Sequence, residues 1–296
     1  MSTAERLTEV YGKSREIAFD NHSKFIFFSD CHRGNGSWAD NFASNRNLFN
    51  HALEYYYARG FTYIEVGDGD ELWENRSMSE IIQTHEDTFR IMHKFYQDGR
   101  LYMIFGNHDA SKSGPKYRNS RFYRYYSYRS EKYETLFSNP EVHEGLVLKH
   151  TPTNREILVV HGHQGDLIND RLWRLARFLV RYVWNPLEMI GIKNPTSPAK
   201  NHTRKGAVER NISNWVKANK KMIITGHTHR PMFPKADDAP YFNAGCCVHP
   251  NFITGIEIQK GEISLICWSI TTNSEGMLQV TRKIIAGPEK LEKFLG

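Results

Sequence analysis

The chain has 296 residues, 40% of them hydrophobic and 24% charged, and its 39 basic against 33 acidic side chains leave a net charge of +6. That length can bury a sizeable core in a single domain spanning 1–296, and the composition excludes a disordered or fibrous protein. The N-terminus lacks the apolar h-region of a secretory signal, no stretch nears the ~18 apolar residues of a membrane span, and Cys31, Cys246, Cys247 and Cys267 repeat no CxxC spacing, so the expectation is a cytoplasmic protein without a disulfide framework.

In chain order, a polar lead-in is followed by Lys24–Ser29, an apolar run that predicts a buried strand and runs straight into Asp30-Cys31-His32. Leu48, Phe49, Ala52, Leu53, Tyr56 and Tyr57 have helical spacing within Asn45–Arg59, and Phe61–Val66 is the next strand, ending in Gly67-Asp68. This β-α-β unit predicts parallel strands. A helix over Met78–Tyr96 leads to the strand Leu101–Phe105, which ends in Gly106-Asn107-His108-Asp109. Between Ala110 and Tyr133 lie seven basic residues against one acid, interleaved with aromatics, so this segment carries the whole excess charge. Val142–Leu148 and Glu156–Val160 predict a hairpin, the second strand ending in His161-Gly162-His163. Two helices, Leu167–Trp184 and Lys205–Asn219, are then expected to form a cap insertion over 164–220. Lys221–Thr225 is a strand ending in Gly226-His227-Thr228-His229, and short β runs fill the tail.

Five apolar strands thus end in groups able to bind a metal. On extended chain the spacings D-x-H and H-x-H put both side chains on one face, because side chains alternate with period two. Carboxylate, imidazole and amide oxygen without thiolate suits Mn, Fe, Zn or Co and argues against a closed structural zinc site. One metal that keeps a water needs about four protein ligands at most. The set here is larger and implies two ions sharing a carboxylate, with Asp68 the natural bridge. Two such ions form the clamp used for displacement at phosphorus, with attack by a metal-bound hydroxide.

In their order and spacing the motifs Asp30-Cys31-His32, Gly67-Asp68-Gly69-Asp70-Glu71, Gly106-Asn107-His108-Asp109, His161-Gly162-His163 and Gly226-His227-Thr228-His229 resemble those of the calcineurin-like metallophosphoesterases. The resemblance implies an α/β fold: a four-layer α-β-β-α sandwich of two mixed sheets flanked by helices. It implies two divalent metal ions, the first held by Asp30, His32, Asp68 and His229 and the second by Asp68, Asn107, His161 and His227. His108 is the candidate general acid, with Asp109 beside it to orient the ring. Glu71 stands where the family has an aspartate and is expected to support the ligands rather than bind metal. His163 is an auxiliary group on the phosphate side or a surface histidine. Asp70, one residue off the family position, is expected to face elsewhere, so that Asp70→Asn costs little.

For substrate, Gly226–Phe233 and Tyr241–Gly245 are similar to the UDP-diacylglucosamine pyrophosphatase branch, although that branch carries an arginine where this chain has His108. Arg33, Arg174 and Arg177 are the candidate substrate-binding residues, and a phosphorylated small molecule or nucleotide-linked compound is the expected partner. The aromatic and basic stretch 116–133 offers single-stranded nucleic acid as a rival. A protein phosphatase, and a catalytically silent metal-binding module, complete the alternatives.

Overall fold

The first twenty residues do more than lead in. Ser2 and Glu5 close a reciprocal capping box at the start of α1 (Thr3–Lys13), and β1 (Arg15–Phe19) follows at the edge of a sheet. The structure, a computed structural model, describes residues 2–166, 169–170, 172–184, 202–235 and 237–295. Beyond β1, β2 (Phe25–Phe28), α2 (Arg46–Ala58) and β3 (Thr62–Val66) make the expected β-α-β unit, with β2 and β3 parallel. The helix expected over Met78–Tyr96 is two, α3 (Met78–Thr84) and α4 (Glu86–Gln97), hinged at His85. The cause lies outside the helix: His85 is buried with its Nε2 2.8 Å from the carboxylate of Asp40.

β4 (Leu101–Ile104) pairs parallel to β3, and the basic aromatic stretch forms three short 3-10 turns and a hairpin of β5 (Arg124–Ser127) and β6 (Lys132–Thr135). The strand expected over Val142–Leu148 is split at Glu144. β7 (Val142–His143) adds to the sheet of β4, whereas β8 (Gly145–His150) pairs with β1 and β9 (Arg155–Val160) in the other sheet. After β9 come α5 (Trp173–Leu179), a π-helical turn over Val180–Trp184, and α6 (His202–Asn219). β10 (Met222–Thr225), β11 (Tyr241–Asn243), β12 (Phe252–Gln259), β13 (Glu262–Thr272), β14 (Leu278–Lys290) and α7 (Glu292–Leu295) complete the chain.

Two mixed sheets result, ordered β1-β8-β9-β10-β11 and β14-β13-β12-β2-β3-β4-β7. Alternation within each strand explains the layers. Phe25, Phe27, Ile64 and Val66 point to the partner sheet, where they meet Leu148, Val159 and Ile224. The intervening Ile26, Phe28 and Tyr63 point outward onto α2 and α4, through Phe49, Leu53 and Phe95. On the opposite side Val147, Leu158 and Ile223 are covered by Leu7 and Val10 of α1 and by Ile212, Trp215 and Val216 of α6. The chain is therefore the expected four-layer α-β-β-α sandwich. Strands buried on both faces account for the continuous apolar runs that mark them in the sequence. Within the stretch 164–220, α6 is a flanking layer of this sandwich. Residues 185–201 lie outside the described residues.

Candidate metal centre

The ends of β2, β3, β4, β9 and β10 lie together and are tied to one another by backbone. Asp30 N donates to Gly67 O, His32 N to Asp68 O and Gly226 N to His161 O. His161 Nδ1 lies 2.8 Å from Val66 O, which joins the two sheets. The pairs Asp30/His32 and His227/His229 do converge, but not on extended chain: these four residues and Asp68 all have positive φ. Left-handed backbone costs a non-glycine residue on the order of 1 kcal/mol, which the surrounding structure must overcome. Neighbouring glycines make room. A Cβ on Gly106 would stand 2.2 Å from Asp68 Oδ1, and one on Gly226 1.8 Å from Ser29 Oγ.

Around the carboxylate of Asp30 lie His229 Nε2 at 3.1 Å and His32 Nε2 at 3.8 Å. Around that of Asp68 lie His161 Nε2 at 3.1 Å and His32 Nε2 at 3.8 Å. Among the described residues three groups have donor atoms within 4.8 Å of one another: Asp30/His32/His229, Asp68/His161/His227 and His32/Glu71/His108. Asn107 Oδ1 and His227 Nε2 are buried without a hydrogen-bond partner, and Asp30 Oδ1 and His161 Nε2 have only the ion-pair contacts at 3.1 Å to His229 and Asp68, without hydrogen-bond geometry. Buried polar atoms are nearly always satisfied, and leaving one unpaired costs about 1–3 kcal/mol. Orphaned lone pairs converging from carboxylate, amide and imidazole fit a divalent cation, which would satisfy them together.

The buried carboxylates require positive charge opposite them, which in the protein alone the imidazoles supply. Burial disfavours the ionised form of Asp30 and Asp68. Even so, His229 and His161 hold Asp30 well below the usual carboxylate range, and His161 and His108 do the same for Asp68. Burial likewise opposes charge at His161 and His229, but the facing carboxylates push both up to about 9. His227 is lowered to about 4 and His163 well below its ordinary value, first by burial and then by His161.

Glu71 is buried between two rings, its carboxylate oxygens 2.9 Å from His32 Nδ1 and 2.8 Å from His108 Nδ1. Burial disfavours its charge, but His108 and His32 bring it down to about 2. Asp109, expected to orient His108, does not touch it. Its oxygens accept from Gly106 N and Lys112 Nζ, both at 2.7 Å, because the chain turns at Gly106 and points Asp109 back under the loop. Arg33 does not face substrate either. It is fully buried, its guanidinium bonded to Glu65 at 2.7 and 3.0 Å and to Asp70 at 2.7 Å. Asp70 also takes Lys112 at 2.6 Å, so it is an anchor of a buried ionic network and not a dispensable loop acid. His163 is 2% exposed, which removes the surface alternative, and its ring centre lies 5.5 Å from that of His161. Arg174 and Arg177 lie on α5 with their guanidinium carbons 5.5 and 5.1 Å from the Trp173 ring centre. Among the described residues no hydrogen bond or ion pair joins either to the ligand cluster.

Other contributors have no role legible in the sequence, although Asn243 lies in the Tyr241–Gly245 stretch that is similar to the pyrophosphatase branch. Asn243 Nδ2 donates to Gly226 O at 2.6 Å and lies 3.2 Å from Thr228 Oγ1, fixing the loop that carries His227 and His229. Glu209 of α6 accepts from Thr228 Oγ1. Trp73 stacks on His108 with ring centres 4.2 Å apart and planes 20° from parallel. All three act across long sequence separations or through ring contact, which local patterning does not record.

A four-layer α-β-β-α sandwich with an aspartate, asparagine and histidine cluster at the carboxyl ends of its strands defines the class of metal-dependent phosphoesterases. The model of the calcineurin-like phosphoesterase family matches residues 23–231, and the chain belongs to that family. No curated protein matches the sequence. Among solved structures, the crystal structure of Chaetomium thermophilum Vps29 is similar at 10% identity and a TM-score of 0.41, over 88% of this chain and 96% of that one.

Proposed function

We propose that the protein is a phosphoric ester hydrolase with two divalent metal ions, cleaving a phosphate mono- or diester or a pyrophosphate bond. The observation that carries this reading is the convergence of orphaned, buried ligand atoms on both sides of Asp68. Asp30, His32, Asp68 and His229 would hold one ion, and Asp68, Asn107, His161 and His227 the other. Ions held there would supply Lewis acidity toward phosphoryl oxygens and would lower the pKa of bound water. The chain's own groups do the rest. Glu71 accepts the Nδ1 protons of His32 and His108, which leaves Nε2 of His32 free to bind metal and Nε2 of His108 free to carry a proton to the leaving oxygen. Such proton transfer contributes typically ~10²–10⁴-fold. Asp109 supports this from beneath, holding the backbone of Gly106 ahead of Asn107 and His108.

A substrate with an apolar portion is favoured over nucleic acid by the free face of α5, where Leu175 and Phe178 are exposed beside Arg174. That segment, Trp173–Trp184, would be the cap. In the stretch 116–133, Tyr117, Tyr123 and Tyr125 are buried, so the aromatics there largely serve the core, although Tyr128 and Tyr133 stay exposed. The test is hydrolysis with Mn²⁺, Fe²⁺ or Zn²⁺ of monoesters, diesters, phosphopeptides, UDP-linked pyrophosphates and single-stranded DNA. Turnover of one class, abolished by chelation, is the expected result. No turnover of any class would overturn the reading and leave a binding module.

A further inference from the structure

The π-helical turn after α5 places one cation on the loop that carries the catalytic support. Arg181 donates to three backbone oxygens, of Leu72 at 2.7 Å, Trp73 at 2.8 Å and Asn75 at 3.0 Å. Arg76 of the same loop bonds Tyr182 OH at 2.7 Å. The loop begins at Glu71, which holds the rings of His32 and His108, and Trp73 covers the His108 ring as a stacked plate. The ring of His108 therefore has two constraints on its orientation, a carboxylate at Nδ1 and an indole on one face. Both come from residues 71–73, and that turn is held at its carbonyls by a side chain from 108 residues further along the chain. π-helical turns are rare and recur at functional sites.

We propose that Arg181 and Trp73 are positioning residues for His108: Arg181 latches the Leu72–Asn75 turn, and Trp73 transmits that latch to the imidazole by stacking. The helix over Trp173–Trp184 is then part of the proton-transfer apparatus. This rests on His108 being the general acid. Displacing a proton donor by as little as ~1 Å can cost up to ~10²-fold, and the cost falls on substrates whose leaving group needs the proton.

The experiment compares an alkyl phosphate, a poor leaving group, with 4-nitrophenyl phosphate, a good one, for the metal-loaded full chain and for Arg181→Met, Arg181→Lys, Trp73→Leu, Trp73→Phe and His108→Ala. Bound metal is measured on each. Arg181→Met and Trp73→Leu are expected to lose kcat on the alkyl ester by roughly 10-fold and less than ~2-fold on the aryl ester, with metal content unchanged. Trp73→Phe, which keeps a stacking ring, should restore most of the alkyl activity, and Arg181→Lys a part. Equal losses on both esters, or none, in a background where His108→Ala is selective would overturn the latch. If His108→Ala is itself unselective, the general-acid assignment fails, and the latch fails with it.

Discussion

A carboxylate that accepts from two imidazoles at once admits only one arrangement of them, and Glu71 is in that position. Replacing it by glutamine leaves one acceptor oxygen and turns the other arm into a donor, so one ring must lose its partner. Glu71→Gln is expected to lower turnover ~10–100-fold, a typical cost for a residue orienting metal ligands, as read by kcat alongside bound metal. Asp70 matters for a different reason. Burial disfavours its charge, but Arg33 and Lys112 lower its pKa to about 2, so the unfolded chain, with an aspartate pKa of about 3.9, takes up the proton first as pH falls. Its stabilisation is thus complete above about pH 4 and lost as pH falls through about 2. Asp70→Asn should destabilise the metal-free chain at pH 7 by on the order of 3 kcal/mol, and urea midpoints of variant and parent should converge as pH falls to about 2. Equal midpoints at pH 7 would show that the network contributes nothing.

At the scale of elements, the strands are rigid rods and the loops at their ends carry the strain. Five ligand candidates sit in left-handed backbone, held by hydrogen bonds from neighbouring loops and by glycines where loops touch. Gly106→Ala tests this. Its φ is ordinary, so only space is at stake, and a Cβ 2.2 Å from Asp68 Oδ1 must displace that carboxylate. The expected outcome is loss of bound metal and activity with the circular dichroism of the fold retained. Gly12→Ala, where a Cβ meets nothing within 4 Å, is the control.

On the scale of the whole molecule, the site exists only because two sheets stack. Asp30, His32, Asp68, Asn107 and His108 follow strands of the larger sheet, and His161, His163, His227 and His229 follow strands of the smaller. A cation bridging them would join the sheets, so it should stabilise the native state by mass action: at 100 times Kd, by about 2.7 kcal/mol per ion. Added Mn²⁺ is expected to raise Tm of the parent chain and chelation to lower it. Asp68→Asn, which weakens both halves of the set, should bind neither ion and melt at a temperature indifferent to metal. A Tm insensitive to metal in the parent would count against a metal shared between the sheets.

Much of this was determined by the sequence alone. Strands buried on both faces must be continuously apolar, and a ligand placed at a strand's end must interrupt that run abruptly, so β2, β3, β4, β9 and β10 and their terminal histidines, carboxylates and asparagine could be read directly. The N-terminal helix was legible too, in Ser2 and Glu5, but it lies in a polar stretch that hydropathy passes over. What only the tertiary structure decided is which polar groups face one another. Arg33 looks like a substrate-binding residue and Asp70 like a dispensable loop acid in sequence, and the two are internal salt-bridge partners. Asp109 turns away from His108, and Glu71 takes its place. Arg181, Trp73 and Asn243 enter from distant elements. A carboxylate's partner is set by a loop's final turn, over a few ångströms, and by elements far apart in the chain; neither leaves a periodic signature in the residues themselves.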